Sequence, residues 1–455
     1  MNNKNHEIPV IIVSRSEKNT TFAKIINLSA MKKIISLYVL FLGLIAGCIS
    51  CNYTQKSENN TDGTNNSNIE SSEELRKKHL DALALNNAEK HCVDKINKFA
   101  FSLLHRIAKN HDGSFVVAPL SLASAIAIPG NGANGEVRDS IEQILGPITD
   151  ANSFYKKYLA ALPHNKYSDC LLLNYLAVNG NVPINDAFSK TVSTNFNAAV
   201  NNHDFGDVHS VDQINDWFHK QSLNDTIRVI ETLDPKSSLY LINALEYDAL
   251  WNHFKKNNTF LDDFITDKGN TLKIPIMYNP EVNIPYYKNV DYQAVTIPYL
   301  GSCYRMLIIM PNTKKLSTFR RFMTHELFVN VLNSFCEPRE IVLQMPRFKC
   351  ESDLSMTELL KEMLPSVFYD KGKGFNAISI DPVAITDINH KTSIEVSEEG
   401  TKAYSVTVEE FTKSLKPEFI ANHPFFYFVY DEATRAILLM GQFCGDGALF
   451  RDGDS

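Results

Sequence analysis

Few residue patterns in this sequence could carry out catalysis. It contains no GxSxG nucleophile elbow, no HExxH zinc helix and no phosphate-binding P-loop. The segment "HELFV" starts at His325 like a zinc-binding helix, but Val329 stands where the second histidine would be. His390 lies in "TDINHKTSIEV", where we expect a hydrogen-bonded core histidine rather than a metal ligand or a general base. We therefore predict that the protein is not an enzyme and holds no metal or cofactor.

The cysteines indicate lipid attachment more strongly than metal binding or redox chemistry. Six of the eight are scattered singly, and the "CISC" pair of Cys48 and Cys51 lacks a second pair or a βαβ context. Cys48 ends the stretch "MKKIISLYVLFLGLIAGC", which has two lysines, an apolar run and small residues before the cysteine. This is the layout of a signal peptide, and its apolar run is too short for a comfortable membrane span. The end "LIAGC" resembles the lipobox of bacterial lipoproteins, whose cysteine is lipidated and becomes the mature N-terminus.

This leader divides the chain into four predicted regions. They are an upstream extension, a signal peptide, a lipidated tether and one globular domain, at residues 1–30, 31–47, 48–74 and 75–455. The tether is nearly free of apolar residues and cannot bury enough surface to fold. We expect a bacterial outer-membrane lipoprotein that faces the periplasm or the cell surface, because Ile49 rather than a retention aspartate follows the lipidated cysteine.

Composition and periodicity predict an α+β globular body. The chain has 455 residues, 44% of them hydrophobic and 21% charged, and its net charge of -7 argues against a nucleic-acid binder. In the front half, one face of a predicted helix is apolar at Ile96, Phe99, Leu103 and Ile107. The back half is rich in β-branched and aromatic stretches, including a hairpin in "YFVYDEATRAILLMGQF". Helices followed by strands without βαβ alternation favour large, mostly antiparallel or mixed sheets.

One segment, "VSEEGTKAYSVTVEEFTKSLKP" (Val396 to Pro417), alternates like a strand in its first half and is charged like a loop in its second. Its flanks, "HKTSIEVSEEGTKA" and "NHPFFYFVYDEATRAILLMGQF", resemble the C-terminal signature of the serpins, large protease inhibitors with a reactive loop between these blocks. "GSFVVAPLSLASAIAIPGNGANGEVRDSIEQILG", "INDWFHKQSLNDTIRVI", "LINALEYDALWNHF" and "LQMPRFK" resemble earlier blocks. The resemblance implies the serpin fold, with mostly N-terminal helices, a large central mixed β-sheet, further antiparallel sheets and an exposed reactive loop.

The resemblance also assigns residues to two structural sites of the family. The polar cluster called the shutter falls on Ser121, Asn243 and His390. Ala118 replaces a further family serine there, which puts one hydrogen bond of the network in doubt. The breach, where the loop first enters the sheet, falls on Trp251, Arg347 and Glu398. We expect packing and ion pairing from the breach residues, with packing as the main contribution of the tryptophan.

The reactive loop of an inhibitory serpin must enter the central sheet as a strand, so its alternate residues must fit the core. The hinge that begins this segment contains Glu398 and the flexible pivot Gly400. After it, every second residue has a small side chain, and we call these positions the small parity: Thr401, Ala403, Ser405 and Thr407. The bulkier Lys402 and Tyr404 fall on the outward parity. This pattern favours an inhibitor.

Two ways of locating the bond that a protease would cut differ by one residue. The spacing to the downstream "PF" places the cut between Lys413 and Ser414, whereas the commonest loop length counted from Gly400 places Ser414 before it. We choose Lys413–Ser414, because lysine is the better specificity anchor and trypsin-like proteases bind such a cation through a carboxylate pocket. Phe411 and Val408 are alternatives for chymotrypsin-like or elastase-like enzymes.

The sequence therefore predicts a suicide-substrate inhibitor of trypsin-like proteases. The target forms an acyl-enzyme through its serine or cysteine and is trapped when the cleaved loop inserts, a movement for which serpins are themselves an established example. The range could extend to elastase-like, chymotrypsin-like or cysteine proteases. We expect a monomer that contacts the membrane through Cys48 and binds no nucleic acid. The alternatives are a non-inhibitory serpin that acts as a binding or chaperone-like module and, more distantly, a lipoprotein hydrolase with an unrecognised motif.

Overall fold

The computed structural model describes most of the globular region. It covers residues 70–180, 182–223, 228–352, 356–369, 373–401 and 416–451, with the backbone alone for residues 386, 387 and 389–391. The described residues belong to one compact unit, Ile69–Ser455. Within these ranges, no helix has both the length and the apolar character that crossing a membrane requires.

Helices dominate the first part of this unit, as predicted. They are α1 (Ser72–Ala82), α2 (Asn87–Asn110), α3 (Pro119–Gly130), α4 (Gly135–Leu145), α5 (Ile148–Ala161), α6 (Asp186–Phe196) and α7 (Val208–Gln221). Shorter helices follow later, at α8 (Leu316–Phe319), α9 (His325–Ser334), α10 (Met356–Met363) and α11 (Pro365–Tyr369). Helix α2 begins where the Asn86 side chain accepts from the Glu89 backbone N–H at 2.9 Å, and the Glu89 carboxylate accepts from the Asn86 N–H at 2.8 Å. Its predicted apolar face, including Ile96 and Leu103, is fully buried.

The strands form three sheets. The central sheet has the order β11 (Phe348–Ser352), β12 (Ile385–Val396), β4 (Leu239–Leu250), β2 (Ser168–Asn179), β3 (Ala199–His203), and β13 (Gly400–Thr401) pairs with β4. A second sheet has the order β1 (Phe115–Val117), β16 (Ile437–Phe443), β15 (Phe425–Asp431), β9 (Tyr304–Pro311), β8 (Tyr292–Pro298), β7 (Tyr286–Lys288). The third has the order β14 (Glu418–Ile420), β10 (Arg339–Pro346), β6 (Thr271–Ile284), β5 (Phe260–Ile265). The α+β class is therefore confirmed, with a mixed central sheet in which β4 runs antiparallel to β2 and parallel to β12.

Strand β2 lies in the half of the chain that reads as mainly helical. Its sequence, "SDCLLLNYLAVN", is buried along most of its length, so it lacks the alternation of a strand with one solvent face. A short apolar run of this kind cannot be distinguished from a buried helix by periodicity. Pairing with β4 over Ser168 to Val178 decides its conformation.

The predicted C-terminal hairpin is present. Strands β15 and β16 pair antiparallel from Phe425 opposite Phe443 to Tyr430 opposite Ile437. The hairpin lies between β1 and β9 in the second sheet, and all residues of both strands are buried, so both of its faces are covered.

Candidate functional site

The hinge of the predicted reactive loop is a tight turn at the end of β12. The Ser397 backbone N–H donates to the Gly400 carbonyl at 2.9 Å, and the Gly400 N–H donates to the Ser397 carbonyl at 3.2 Å. Gly400 has a φ of 124°, and a Cβ there would lie 2.8 Å from the Leu250 Cα. Only glycine combines this backbone angle with so close an approach to β4. The turn reverses the chain, so that Gly400 and Thr401 pair antiparallel with Leu250 and Ala249.

Thr401, the first residue of the small parity, is already inside the central sheet. Its side chain is buried, and its hydroxyl lies 3.1 Å from the Tyr299 hydroxyl. Burial raises the pKa of Tyr299, so its hydroxyl stays protonated and can serve as the hydrogen-bond partner. The Tyr299 ring is stacked on Trp251, with ring centroids 5.2 Å apart. Trp251 thus supports the tyrosine that contacts Thr401, the first residue of the small parity.

Trp251 does more than pack against this tyrosine. Its indole N–H donates to the Ser397 carbonyl at 3.0 Å and to the Glu398 carbonyl at 3.1 Å. Its backbone N–H donates to the Glu399 carbonyl at 3.1 Å. One buried residue thus holds three consecutive carbonyls of the hinge, which fixes where the loop leaves β12.

Glu398 is a buried charge with several partners. Its side chain is 1% exposed, and its carboxylate accepts from the Arg347 guanidinium at 2.8 Å and from the Thr259 hydroxyl at 2.6 Å. Arg451, near the C-terminus, reaches the other carboxylate oxygen at 3.5 Å. The next residue of the hinge, Glu399, forms an ion pair with Lys256. A buried carboxylate is tolerated only when it is paired and hydrogen-bonded in this way.

Sequence reasoning placed three residues at this site and missed four. Trp251, Arg347 and Glu398 are brought together as the resemblance implied. Tyr299, Thr259, Lys256 and Arg451 were not anticipated. They come from separate parts of the chain, and nothing in their local sequence marks them as neighbours of the hinge.

The shutter assignments meet where α3 packs on the central sheet. The Ser121 hydroxyl donates to the Asn243 side-chain oxygen. The Asn243 amide donates to the Asn174 side-chain oxygen at 2.8 Å, which also accepts from the Ser124 hydroxyl at 2.9 Å. Ser124 and Asn174 were not predicted, and they extend the network. Ala118 is buried. His390 pairs through its backbone register with Asn243, while its side chain lies outside the described atoms.

Strand β4 has different partners at the two ends of the central sheet, β12 at one end and β13 at the other. Strand β12 pairs in parallel with β4 from Ile385 opposite Leu239 to Lys391 opposite Ala244. Beyond this stretch, β4 pairs with β13 instead. Full insertion of a further strand would therefore have to separate β12 from β4, starting at the end where Thr401 already lies between them.

The segment that follows the predicted reactive loop, from Lys416 onward, is anchored in the third sheet. Lys416 forms ion pairs with Glu281 and with Glu340, the latter at 3.0 Å. Hydrogen bonding to these carboxylates raises the pKa of Lys416. Glu418 then enters β14, which runs parallel to β10. Chain on the C-terminal side of the predicted cut is thus held independently of the hinge.

Several predicted residues lie outside the described part of the chain. They are the lipidation residue and those of the loop, namely Cys48, Ala403, Ser405, Thr407, Val408, Phe411, Lys413 and Ser414. Their roles remain predictions.

The sequence from residue 94 to residue 445 matches the protein family described as "Serpin (serine protease inhibitor)". The chain belongs to the serpin family. As a serpin, it belongs to a family of protease inhibitors rather than of catalytic enzymes, which supports protease inhibition as its general function.

The alignments with related sequences cover nearly the whole length of each relative. A serpin-like protein of Thermococcus kodakarensis is 27% identical over 428 residues, covering 90% of this chain and 98% of the relative. Iripin-2 of Ixodes ricinus is 26% identical over 366 residues, covering 76% of this chain and 91% of the relative.

Solved serpin structures share the fold. The thermophilic serpin tengpin in its native state has a TM-score of 0.70 at 24% identity, covering 79% of this chain and 95% of tengpin. Thyroxine-binding globulin in complex with thyroxine has a TM-score of 0.71 at 20% identity, covering 78% of this chain and 99% of the globulin. Mouse protein Z-dependent protease inhibitor has a TM-score of 0.70 at 21% identity, covering 80% of this chain and 99% of that protein. At these identities the likeness establishes the serpin fold.

Proposed function

We propose that this serpin traps trypsin-like proteases as covalent acyl-enzymes by inserting its cleaved reactive loop into the central sheet. The observation that carries the proposal is the pairing of Gly400 and Thr401 with β4 at the open end of that sheet. The hinge stands at the entrance that the cleaved loop would use, and its first small residue already faces the core. Small residues continue on the same parity at Ala403, Ser405 and Thr407.

The loop is attached to the body at both ends, so cleavage would free one end from the other. Before the cut, residues 402–415 connect β13 in the central sheet to Lys416 in the third sheet. A cut at Lys413–Ser414 would release the hinge side to extend β13 between β4 and β12. The segment from Ser414 onward would stay with β14. A protease esterified to the Lys413 carbonyl would travel with the inserting strand.

Lysine at the cut defines the target class. Trypsin-like enzymes hold a cationic side chain against a carboxylate in their specificity pocket. Elastase-like and chymotrypsin-like enzymes would instead use Val408 or Phe411. A broad-range inhibitor would show more than one of these cuts.

The decisive experiment mixes the protein with trypsin and separates the products in SDS. We expect a complex that survives SDS, with a released C-terminal peptide whose first residue, by mass spectrometry, is Ser414. Lys413→Ala should abolish the complex with trypsin. Lys402→Ala is the matched control, because it removes another lysine of the same loop on the outward parity. If trypsin cuts the loop and stays active, the protein is the non-inhibitory serpin.

We also propose that Cys48 carries the lipid that anchors this inhibitor to the outer membrane. The support is the signal-peptide layout and the "LIAGC" lipobox-like end. The test is metabolic labelling with a tagged fatty acid in a bacterial host, followed by membrane fractionation. Label and membrane association should both disappear in Cys48→Ser and persist in Cys51→Ser. Equal labelling of the two variants would disprove the anchor.

A further inference from the structure

Helix α1 lies upstream of the segment that carries the family match. The helix spans Ser72–Ala82, whereas the match covers residues 94–445. It begins at a capping box, in which the Ser71 hydroxyl oxygen accepts from the Glu74 N–H at 3.2 Å. His79 is its buried residue. A helix of this length that buries so little apolar surface is marginal by itself, so its position depends on the contacts that join it to the body.

The helix is attached to the β8–β9 turn, residues 299–303, which joins those two strands. The Ser72 hydroxyl oxygen accepts from the Gly301 backbone N–H at 2.8 Å. The His79 Nδ1 atom accepts from the Cys303 backbone N–H at 3.1 Å. Two backbone N–H groups of one turn thus have their partners on α1.

Side chains join the same helix to the β15–β16 hairpin. The Arg76 guanidinium donates to the Glu432 carboxylate at 2.7 Å, and Arg305 of β9 pairs with the same carboxylate at 3.0 Å. Because His79 Nδ1 accepts a hydrogen bond, the neutral ring carries its proton on Nε2, which lies 3.2 Å from the Asp431 carboxylate. The His79 and Asp431 side chains are both buried. Directional polar contacts therefore fix where α1 lies.

The β8–β9 turn also contacts the hinge. The Leu300 backbone N–H donates to the Leu250 carbonyl at 2.8 Å, and Leu250 is the β4 residue opposite Gly400. One residue earlier, the Tyr299 hydroxyl lies 3.1 Å from the Thr401 hydroxyl. The turn that is attached to α1 is thus the turn that contacts the first residue of the small parity.

We propose that α1 is a positioning element for loop insertion, which holds the β8–β9 turn where Tyr299 keeps Thr401 at the entrance of the central sheet. This inference rests on the proposed inhibition. Extension of β13 requires Thr401 to stay paired with β4 while the following residues enter the sheet. When α1 is undocked, the turn is less restricted and Thr401 leaves the sheet more often. Insertion is then slower, and water hydrolyses more of the acyl-enzyme before the protease is trapped.

The test compares two double variants of the full-length protein. Ser72→Ala with Arg76→Ala removes contacts of α1 with the turn and with the hairpin. Lys77→Ala with Asp81→Ala is the matched control, because it places two alanines at exposed positions of the same helix. Alanine favours the helical conformation, so neither pair of changes should unfold α1 itself. Circular dichroism establishes that each variant is folded, and the single change Ser72→Ala replaces the first variant if that one does not fold.

Hydrogen exchange of the uncleaved protein reads the hinge without a target protease. We expect the amides of residues 397–401 to exchange at least about threefold faster in the Ser72 and Arg76 variant than in the wild type. The control variant should exchange as the wild type does. Unchanged exchange in the first variant, or the same increase in the control, would overturn the proposal.

The second measurement is the number of serpin molecules cleaved per trypsin complex formed. It should rise at least about twofold in the Ser72 and Arg76 variant and stay at the wild-type value in the control. A contact that only stabilises the fold would lower the free energy of unfolding without changing this number, so an unchanged or lower number also overturns the proposal. If the wild type forms no complex with trypsin, the proposed inhibition fails, and hydrogen exchange still decides whether α1 positions the hinge.

Discussion

Replacing Arg347 by methionine should destabilise the hinge strongly. Its guanidinium donates to the Glu398 carboxylate at 2.8 Å, and the two side chains are 4% and 1% exposed. Removing one partner of a buried ion pair costs about 3–5 kcal/mol, because the other charge stays buried. The Thr259 hydroxyl and the guanidinium of Arg451 would still contact Glu398. We therefore expect a loss near the lower end, about 3 kcal/mol of the free energy of unfolding.

The assay is urea unfolding of the uncleaved protein, followed by tryptophan fluorescence. Trp251 is a suitable probe because its indole donates to the Glu398 carbonyl. The double variant Arg347→Met with Glu398→Gln removes both charges and should recover much of the loss, since no unpaired ion remains. A change below about 0.5 kcal/mol in Arg347→Met, a size typical of exposed sites, would mean that the buried ion pair does not stabilise the hinge.

Three further predictions concern the hinge and the buried His423. Gly400→Ala should raise the number of serpin molecules cleaved per trypsin complex formed, because its φ of 124° and the Leu250 backbone leave no place for a Cβ; an unchanged stoichiometry would contradict this. Trp251→Phe should lower the free energy of unfolding by about 1–2 kcal/mol by leaving the Ser397 and Glu398 carbonyls without the indole donor, as measured in the same urea titration. Burial lowers the pKa of His423 from 6.5 to about 4, so the unfolded chain binds more protons between these pH values. Stability should therefore fall by up to about 3 kcal/mol as the pH decreases through this window, and His423→Gln should flatten the dependence.

Local patterns predicted the class of the fold because they depend on near neighbours in the chain. The apolar face of α2 and the C-terminal hairpin both follow from periodicity and turn residues. Strand β2 was not predicted, since a strand that is covered on both faces of its sheet shows little alternation. Its identity depends on β4, which lies about 70 residues away in the chain.

Ordered motifs along the sequence were sufficient to assign the family, and the match to residues 94–445 confirms that assignment. It also identified the small parity after Gly400, because side chains alternate along any strand. The contacts that hold the hinge, in contrast, are visible only in the folded chain. Tyr299, Thr259, Lys256 and Arg451 reach it from distant segments. Contacts of this kind depend on how sheets and loops pack, and packing is a property of the folded chain.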